Sequence, residues 1–302
     1  MTALRVGQVA VVGRPNAGKS TLVNRIVGEK VAIVSDKPQT TRRRILGVAR
    51  GPGHEIALVD TPGIHRPEYR LNAAMVRDAT DALAQADLVL WIVDASEKRG
   101  TGEEHIRRLI EKSGKPAILA LNKIDRIAKP KLLPMLQEFA AGFDFRAIVP
   151  ISARTGDGVE RLTAALVENL PAGEAAYPED FLTATPESEW IGELIREKLL
   201  ERTREELPFA SAVVVESVRE DDAKNLTVVT ASIVVEREGQ KGIVIGAGGT
   251  MIREIGKAAR AELEAETGRK FFLELTVKVR ERWRDDERFL SQLVEGPGGK
   301  RP

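Results

Sequence analysis

The segment Gly13-Arg14-Pro15-Asn16-Ala17-Gly18-Lys19-Ser20, followed by Thr21, spaces two glycines, a lysine and a hydroxyl as a phosphate-binding loop does. Glycines let backbone N–H groups wrap phosphate oxygens, and a helix opening at the loop turns its positive end toward them. Lys19 would reach the β- and γ-phosphates, and the Ser20 hydroxyl would ligate Mg2+. Further on, Asp60-Thr61-Pro62-Gly63 supplies a carboxylate for the same Mg2+, reached through water, and a Gly63 N–H for the γ-phosphate. A third segment, Asn122-Lys123-Ile124-Asp125, ends in a carboxylate that can accept hydrogen bonds from N1–H and the 2-amino group of guanine. Adenine offers neither donor, and a site built this way rejects the mismatched base by roughly 10⁴. Ser152-Ala153-Arg154 fits a backbone segment touching the guanine oxygen. The ligands implied are GTP and GDP.

These residues need a frame. Apolar runs at Val9–Val12, Ile56–Val59, Leu88–Val93, Ala117–Leu121 and Ala147–Ile151 read as buried parallel strands. Helical patterns lie between most of them, at Lys19–Val27, Glu103–Lys112, Leu132–Ala141 and Val159–Asn169, with an extra strand at Ile45–Arg50 hairpinned onto Ile56–Val59. The result is a doubly wound α/β sheet, in which each motif falls at a strand end. Pro171–Pro186, rich in Pro, Ala and Gly, reads as a linker. Beyond it the order becomes helix (Glu189–Arg204), strands (Ser211–Val218 and Thr227–Glu236), helix (Met251–Glu266), strand (Phe271–Val279) and a short helix near Glu287–Val294. That order marks a separate α+β module. With no cysteine and three histidines, disulfides and Cys or His metal clusters are excluded, which suits the cytoplasm. No apolar run is long enough to span a membrane. Arg280–Leu290 carries charge of both signs, leaving at most weak peripheral membrane contact.

The chain resembles the translation-factor-like GTPases and, within them, the Era family of ribosome-assembly GTPases. The marks are Pro38-Gln39-Thr40-Thr41-Arg42, the stretch Asp60-Thr61-Pro62-Gly63-Ile64-His65, and the C-terminal module. There, Gly246-Ala247-Gly248-Gly249 runs into a helix between apolar segments and looks like the loop of a type II KH domain, whose amides approach a sugar–phosphate chain. Ile252, Ile255, Ala259 and Leu263 form the core stripe of that helix, while Arg253, Lys257 and Arg260 share another face, and Lys241 stands just before the apolar segment read as a strand. From Ser188 to Pro302 there are 20 Lys/Arg against 22 Asp/Glu, so shape and base contacts must carry much of any RNA affinity.

The resemblance implies an α/β P-loop GTPase domain with a mostly parallel sheet (residues 1–171), a linker (172–187) and an α+β type II KH domain (188–302). It implies a Mg2+-dependent GTPase, monomeric, that binds the single-stranded 3′ end of 16S ribosomal RNA and the 30S subunit during ribosome biogenesis. The alternative is a GTP-gated protein-interaction switch that binds no RNA. By resemblance Thr41, with Thr40 as the alternative, supplies a second Mg2+ hydroxyl, so the catalytic set is Lys19, Thr41, Gly63 and Asn16. Ile64 occupies the place where many GTPases put the glutamine that orients water. Asn16, which in related GTPases helps hold a K+, is one substitute; the run Arg42-Arg43-Arg44 is the other.

Overall fold

The computed structural model describes residues 4–37, 39–63, 69–98, 100–221 and 223–295. They form two compact units, the first running essentially to Ala184 and the second from Thr185 onward.

The first unit holds strands β1 (Arg5–Gly13), β2 (Ile45–Gly51), β3 (His54–Asp60), β4 (Leu88–Asp94), β5 (Ala117–Asn122) and β6 (Ala147–Pro150) in the order β2-β3-β1-β4-β5-β6. Only β2 is antiparallel, to β3; every other pair is parallel. Helices α1 (Lys19–Val27), α2 (Arg70–Gln85), α3 (Thr101–Ser113), α4 (Leu132–Gly142) and α5 (Val159–Glu168) cover both faces. Because side chains alternate along a strand, β1 sends Val9 and Val11 into one core with Leu22 and Leu162, and Ala10 and Val12 into the other with Leu83 and Ile106. Both faces being covered is why these strands are apolar without a break. The Pro171–Pro186 stretch is bonded chain: Val48 N–H donates to Leu182 O, Arg50 to the carbonyls of Phe181 and Pro178, and Gly173 N–H to Leu4 O. The outer edge of β2 needs partners, and this segment supplies them.

The second unit contains α6 (Glu187–Arg202), α7 (Leu207–Ala210), β7 (Ala212–Asp221), β8 (Leu226–Val235), α8 (Glu238–Ile245), α9 (Thr250–Thr267), β9 (Lys270–Val279) and α10 (Glu287–Glu295). Its sheet runs β7-β8-β9, antiparallel then parallel. A parallel pair needs a crossover, and α8 with α9 provides it. This corrects the expectation that the apolar segment at Ile243–Ile245 is a strand with Lys241 before it: those residues end α8, and Lys241 lies inside that helix. β8 already has neighbours on both edges, so three β-branched residues are overridden by tertiary context. Val244 is buried, whereas Ile243 remains 55% exposed.

Candidate functional site

Val9–Val12 anchor β1 in the core, and the chain leaves the sheet at Gly13, where a Cβ would lie 2.5 Å from Ile92 O. Asn16 and Gly18 have φ of 63° and 97°, the left-handed turns that aim the loop's amides before α1 begins. Lys19 curls back and donates to the carbonyls of Arg14 (3.0 Å) and Gly13 (3.3 Å). Burial lowers its pKa to about 8, against the opposing pull of the Asp60 charge. Arg14 points the other way and donates to Glu103 Oε1 at 2.8 Å.

At the end of β3, Asp60 is fully buried, and burial pushes its carboxyl pKa up against the pull of Lys19, Ser20 and Thr41. Its Oδ2 accepts from Ser20 Oγ (2.6 Å) and Thr41 Oγ1 (3.3 Å), and the two hydroxyls lie 2.9 Å apart. Its Oδ1 is buried without a partner. A carboxylate with an orphan oxygen and two converging hydroxyls is a donor set for a hard cation such as Mg2+. Thr61 Oγ1 donates to Val11 O at 2.8 Å, tying the strand end to β1. Gly63 lies against the loop so closely that a Cβ there would come 2.7 Å from Pro15 N. Pro38, Ile64 and His65 lie outside the described residues. Of the three arginines, Arg42 is buried, which removes it from any solvated patch; only Arg44 is well exposed, and it donates to Gln85.

Two features of the base-reading end escape sequence reading. Asn122, 2% exposed, donates from Nδ2 to Ala17 O (2.7 Å) and accepts from Ala153 N–H on Oδ1 (2.9 Å), joining the phosphate loop to the Ser152–Arg154 segment. Arg25 on α1 donates to the carbonyls of Ala153 (2.6 Å) and Arg154 (2.7 Å), clamping the same segment. Neither contact has a signal in spacing. Asp125 receives Ser152 Oγ (2.7 Å) and the Arg154 guanidinium (2.8 Å), which hold its carboxyl below the usual range. Each oxygen keeps a further lone pair for a base edge. Lys123, in the left-handed region at φ 64°, pairs with Asp94 at 2.6 Å, and Ile124 starts the 3₁₀ turn carrying Asp125. Burial penalises the Asp94 charge, but Lys123 and Ser96 outweigh it and hold this carboxyl low as well.

In the second unit, Gly246, Gly248 and Gly249 all have positive φ (72°, 58° and 77°). A Cβ on Gly246 would press Met251, whereas Ala247–Gly249 leave Gly248 and Gly249 with open space around them. The loop is therefore thin enough for another backbone to approach. Arg253 Nη2 donates to Gly248 O at 2.9 Å. Beside it, α9 and β9 form a cleft of about 670 Å³ whose lining includes Arg253, Lys257 and Arg260, one carboxylate (Glu254), and the apolar Phe272 and Leu275. Phe272, 49% exposed, is a stacking surface that sequence reading passed over. Its signal is the alternation of β9, which buries Phe271 and turns the next ring outward. Lys241 pairs with Glu238 within α8 and is not among the cleft's lining residues.

A sheet whose strand ends cradle phosphates at one side and carry a guanine-matching carboxylate at the other belongs to the P-loop GTPases, here joined to a KH domain. Comparison with known proteins narrows this. Residues 8–123 match the family model for a 50S ribosome-binding GTPase, and residues 206–284 match that for a KH domain. GTPase Era of Geobacter metallireducens is 47% identical over 289 residues, 96% of this chain and 97% of that protein. A solved Era variant from Aquifex aeolicus bound to GDP·AlF4− has a TM-score of 0.93 at 41% identity, covering 96% of this chain and 99% of that one. A second structure, Era with MgGDPNP and nucleotides 1506–1542 of 16S ribosomal RNA, matches with a TM-score of 0.93 at 41% identity over 96% and 98% of the two chains. The chain belongs to the Era family of GTPases.

Proposed function

We propose that this chain couples GTP binding and hydrolysis to binding the single-stranded 3′ end of 16S ribosomal RNA, and so acts on the 30S subunit during ribosome biogenesis. The carrying observation is the cleft of the second unit, where an open glycine loop, three basic side chains and an exposed Phe272 adjoin one another. Amides can meet the sugar–phosphate chain there while a base stacks on the ring. The related complex with a 16S fragment supports the choice of RNA. In this reading the GTPase acts as a monomer in the cytoplasm, with at most weak peripheral membrane contact. No helix among the described residues is long and apolar enough to cross a membrane.

In the first unit, the amides from Gly13 to Thr21 receive the phosphates, and Lys19 exchanges its internal carbonyls for β- and γ-oxygens. Ser20, Thr41 and Asp60 would hold Mg2+, which would neutralise phosphate charge. The orphan Asp60 Oδ1 supports that assignment. Gly63 N–H meets the γ-phosphate. Asp125 reads guanine, with Ser152 orienting its carboxylate. Asn16, at φ 63° within the phosphate loop, is the residue suited to holding a K+ beside the phosphates; the run Arg42-Arg43-Arg44 is the alternative source of charge.

The test is RNA binding by the full chain carrying Ala247→Asp and Gly248→Asp. Aspartate tolerates the left-handed φ at Gly248, so the turn survives while two negative charges face the phosphates. Affinity for a 3′-end RNA should fall about tenfold or more (about 1.4 kcal/mol) with GTP affinity unchanged. RNA binding equal to the parent's would leave the loop as a mere turn and withdraw the proposal.

A further inference from the structure

One charged side chain of the phosphate loop turns from the loop to α3. Arg14 Nη1 donates to Glu103 Oε1 at 2.8 Å and stands 3.4 Å from Glu97 Oε2. Glu103 lies in the first turn of α3, where its Oε2 accepts from Gly100 N–H at 2.9 Å, so both oxygens of one carboxylate are held. Its side chain is 12% exposed, which shields the pair from the screening that weakens surface bridges. Ile106 and Ile110 bury α3 in the core and make it a firm support. The arginine stem crosses α3 at Gly102, where a Cβ would come 3.2 Å from its Cδ.

The backbone at Arg14 decides what this pair holds. The Arg14 carbonyl accepts from Lys19 Nζ at 3.0 Å and from Ala17 N–H at 3.3 Å. Pro15 comes next and stands against Gly63, and Asn16 follows in the left-handed region. At the far end of the loop, the Ala17 carbonyl is held by Asn122 Nδ2 at 2.7 Å. The loop thus has two side-chain holds. The one from α3 acts on Arg14, next to the residues beside Gly63, and the one from the end of β5 acts on Ala17, just before α1 opens. With Gly63 at the γ-phosphate and the β-phosphate on the N-terminus of α1, the α3 hold governs the reacting side of the loop.

We propose that Arg14 is a positioning residue for GTP hydrolysis: anchored to Glu103, it fixes Pro15 and Asn16 where the γ-phosphate reacts, and it adds little to the hold on GDP. This role rests on the reading of Gly63 as the γ-phosphate contact. Arg14 acts through the loop and touches no reacting atom, since its guanidinium is engaged by Glu103. Rate is the sensitive quantity, because a misplacement of about 1 Å at a reacting group can cost about 100-fold. Binding of a diphosphate is spread over many amides and tolerates the same shift.

Single-turnover hydrolysis by the full chain, in excess over GTP with Mg2+ and K+, gives the rate of the chemical step; titration with a fluorescent GDP analogue gives binding. Arg14→Gln and Glu103→Gln should each slow hydrolysis roughly tenfold, with GDP affinity within about twofold of the parent's. Glutamine at 103 keeps an oxygen for Gly100 N–H, so α3 retains its cap while the charge pair is gone. The double variant should be no slower than either single one, since all three lack the same interaction. Arg14→Lys, which can still pair with Glu103, should recover most of the rate. A parent-like rate in Arg14→Gln or Glu103→Gln, GDP affinity falling in step with the rate, or losses that multiply in the double variant would each overturn the proposal. Gly63→Ala tells the two readings apart. A parent-like rate there would withdraw the γ-phosphate contact and the Arg14 role with it, whereas a slow Gly63→Ala beside a fast Arg14→Gln would withdraw the Arg14 role alone.

Discussion

Replacing Asn122 by alanine removes one amide that serves two loops. Nδ2 holds Ala17 O at 2.7 Å and Oδ1 takes Ala153 N–H at 2.9 Å, both inside the protein. The space leaves no slack, since a Cβ on Gly18 would come within 2.3 Å of Nδ2. With the amide gone, a buried carbonyl and a buried N–H lose their partners at about 1–3 kcal/mol each, so the first unit should lose about 2–6 kcal/mol. That is a large share of the roughly 5–15 kcal/mol that holds a domain together. Because the lost bonds join the phosphate loop to the base loop, part of the cost falls on GDP binding, which should weaken by about 100-fold (about 2.7 kcal/mol). Asn122→Asp separates the two tethers: it can still accept from Ala153 N–H but sets an oxygen against Ala17 O, so only the phosphate-loop bond is lost and repulsion replaces it. Urea denaturation followed by circular dichroism gives stability, and titration with a fluorescent GDP analogue gives affinity. If Asn122→Ala keeps the parent's midpoint and binds GDP within twofold of it, the bridge is not what unites the site.

Three further outcomes follow from the same geometry. GDP affinity should be flat below about pH 8, the lowered Lys19 value, and fall above it by up to about tenfold per unit, because phosphate raises the lysine pKa and binding then takes up a proton; calorimetry between about pH 8 and the pH at which guanine N1 ionises, showing no proton uptake, would contradict it. Asp125→Asn should shift preference from guanine toward xanthine nucleotides, whose 2-oxo group needs a donor, and retained guanine selectivity in competition binding would remove Asp125 from the base-reading role. GTP hydrolysis should run faster in K+ than in Na+, with Asn16→Gly abolishing the difference; glycine suits the left-handed φ of 63° better than alanine, and equal phosphate release in both salts would exclude the ion.

The first unit was legible because its chemistry imposes local spacing: a loop that wraps phosphates must be glycine-rich, must follow a strand and must open a helix. The motifs at Asp60 and Asn122–Asp125 inherit their places from strand ends, and strands buried on both faces announce themselves as apolar runs. Contacts between distant segments leave no such trace. Nothing in a lysine-to-valine helix marks Arg25 as the clamp on Ala153, and Asn122 reads as part of a base motif while its amide works as a brace. In the second unit, Ile243-Val244-Ile245 has the composition of a strand and folds as a helix end, because the sheet offers β8 no free edge. Arg42 misleads for a related reason: three consecutive arginines look solvated, yet the first of them is buried beside the inward-facing Thr41.

The contact between Gly63 and Pro15 has a mechanical meaning. A Cβ on Gly63 would stand 2.7–2.8 Å from the backbone and the ring Cγ of Pro15, so bare main chain rests on a proline. Side chains cushion most tertiary contacts, since a rotamer can turn and absorb a few tenths of an ångström. Here glycine has no side chain, and the proline ring has no free rotamer to turn. A shift of the phosphate loop toward Gly63 therefore meets backbone three residues beyond the end of β3. Between a glycine with no side chain and a proline whose ring is tied to its own backbone, the contact has little freedom to give. Bulk added at position 63 would strike Pro15 even if every polar group around the phosphates kept its place.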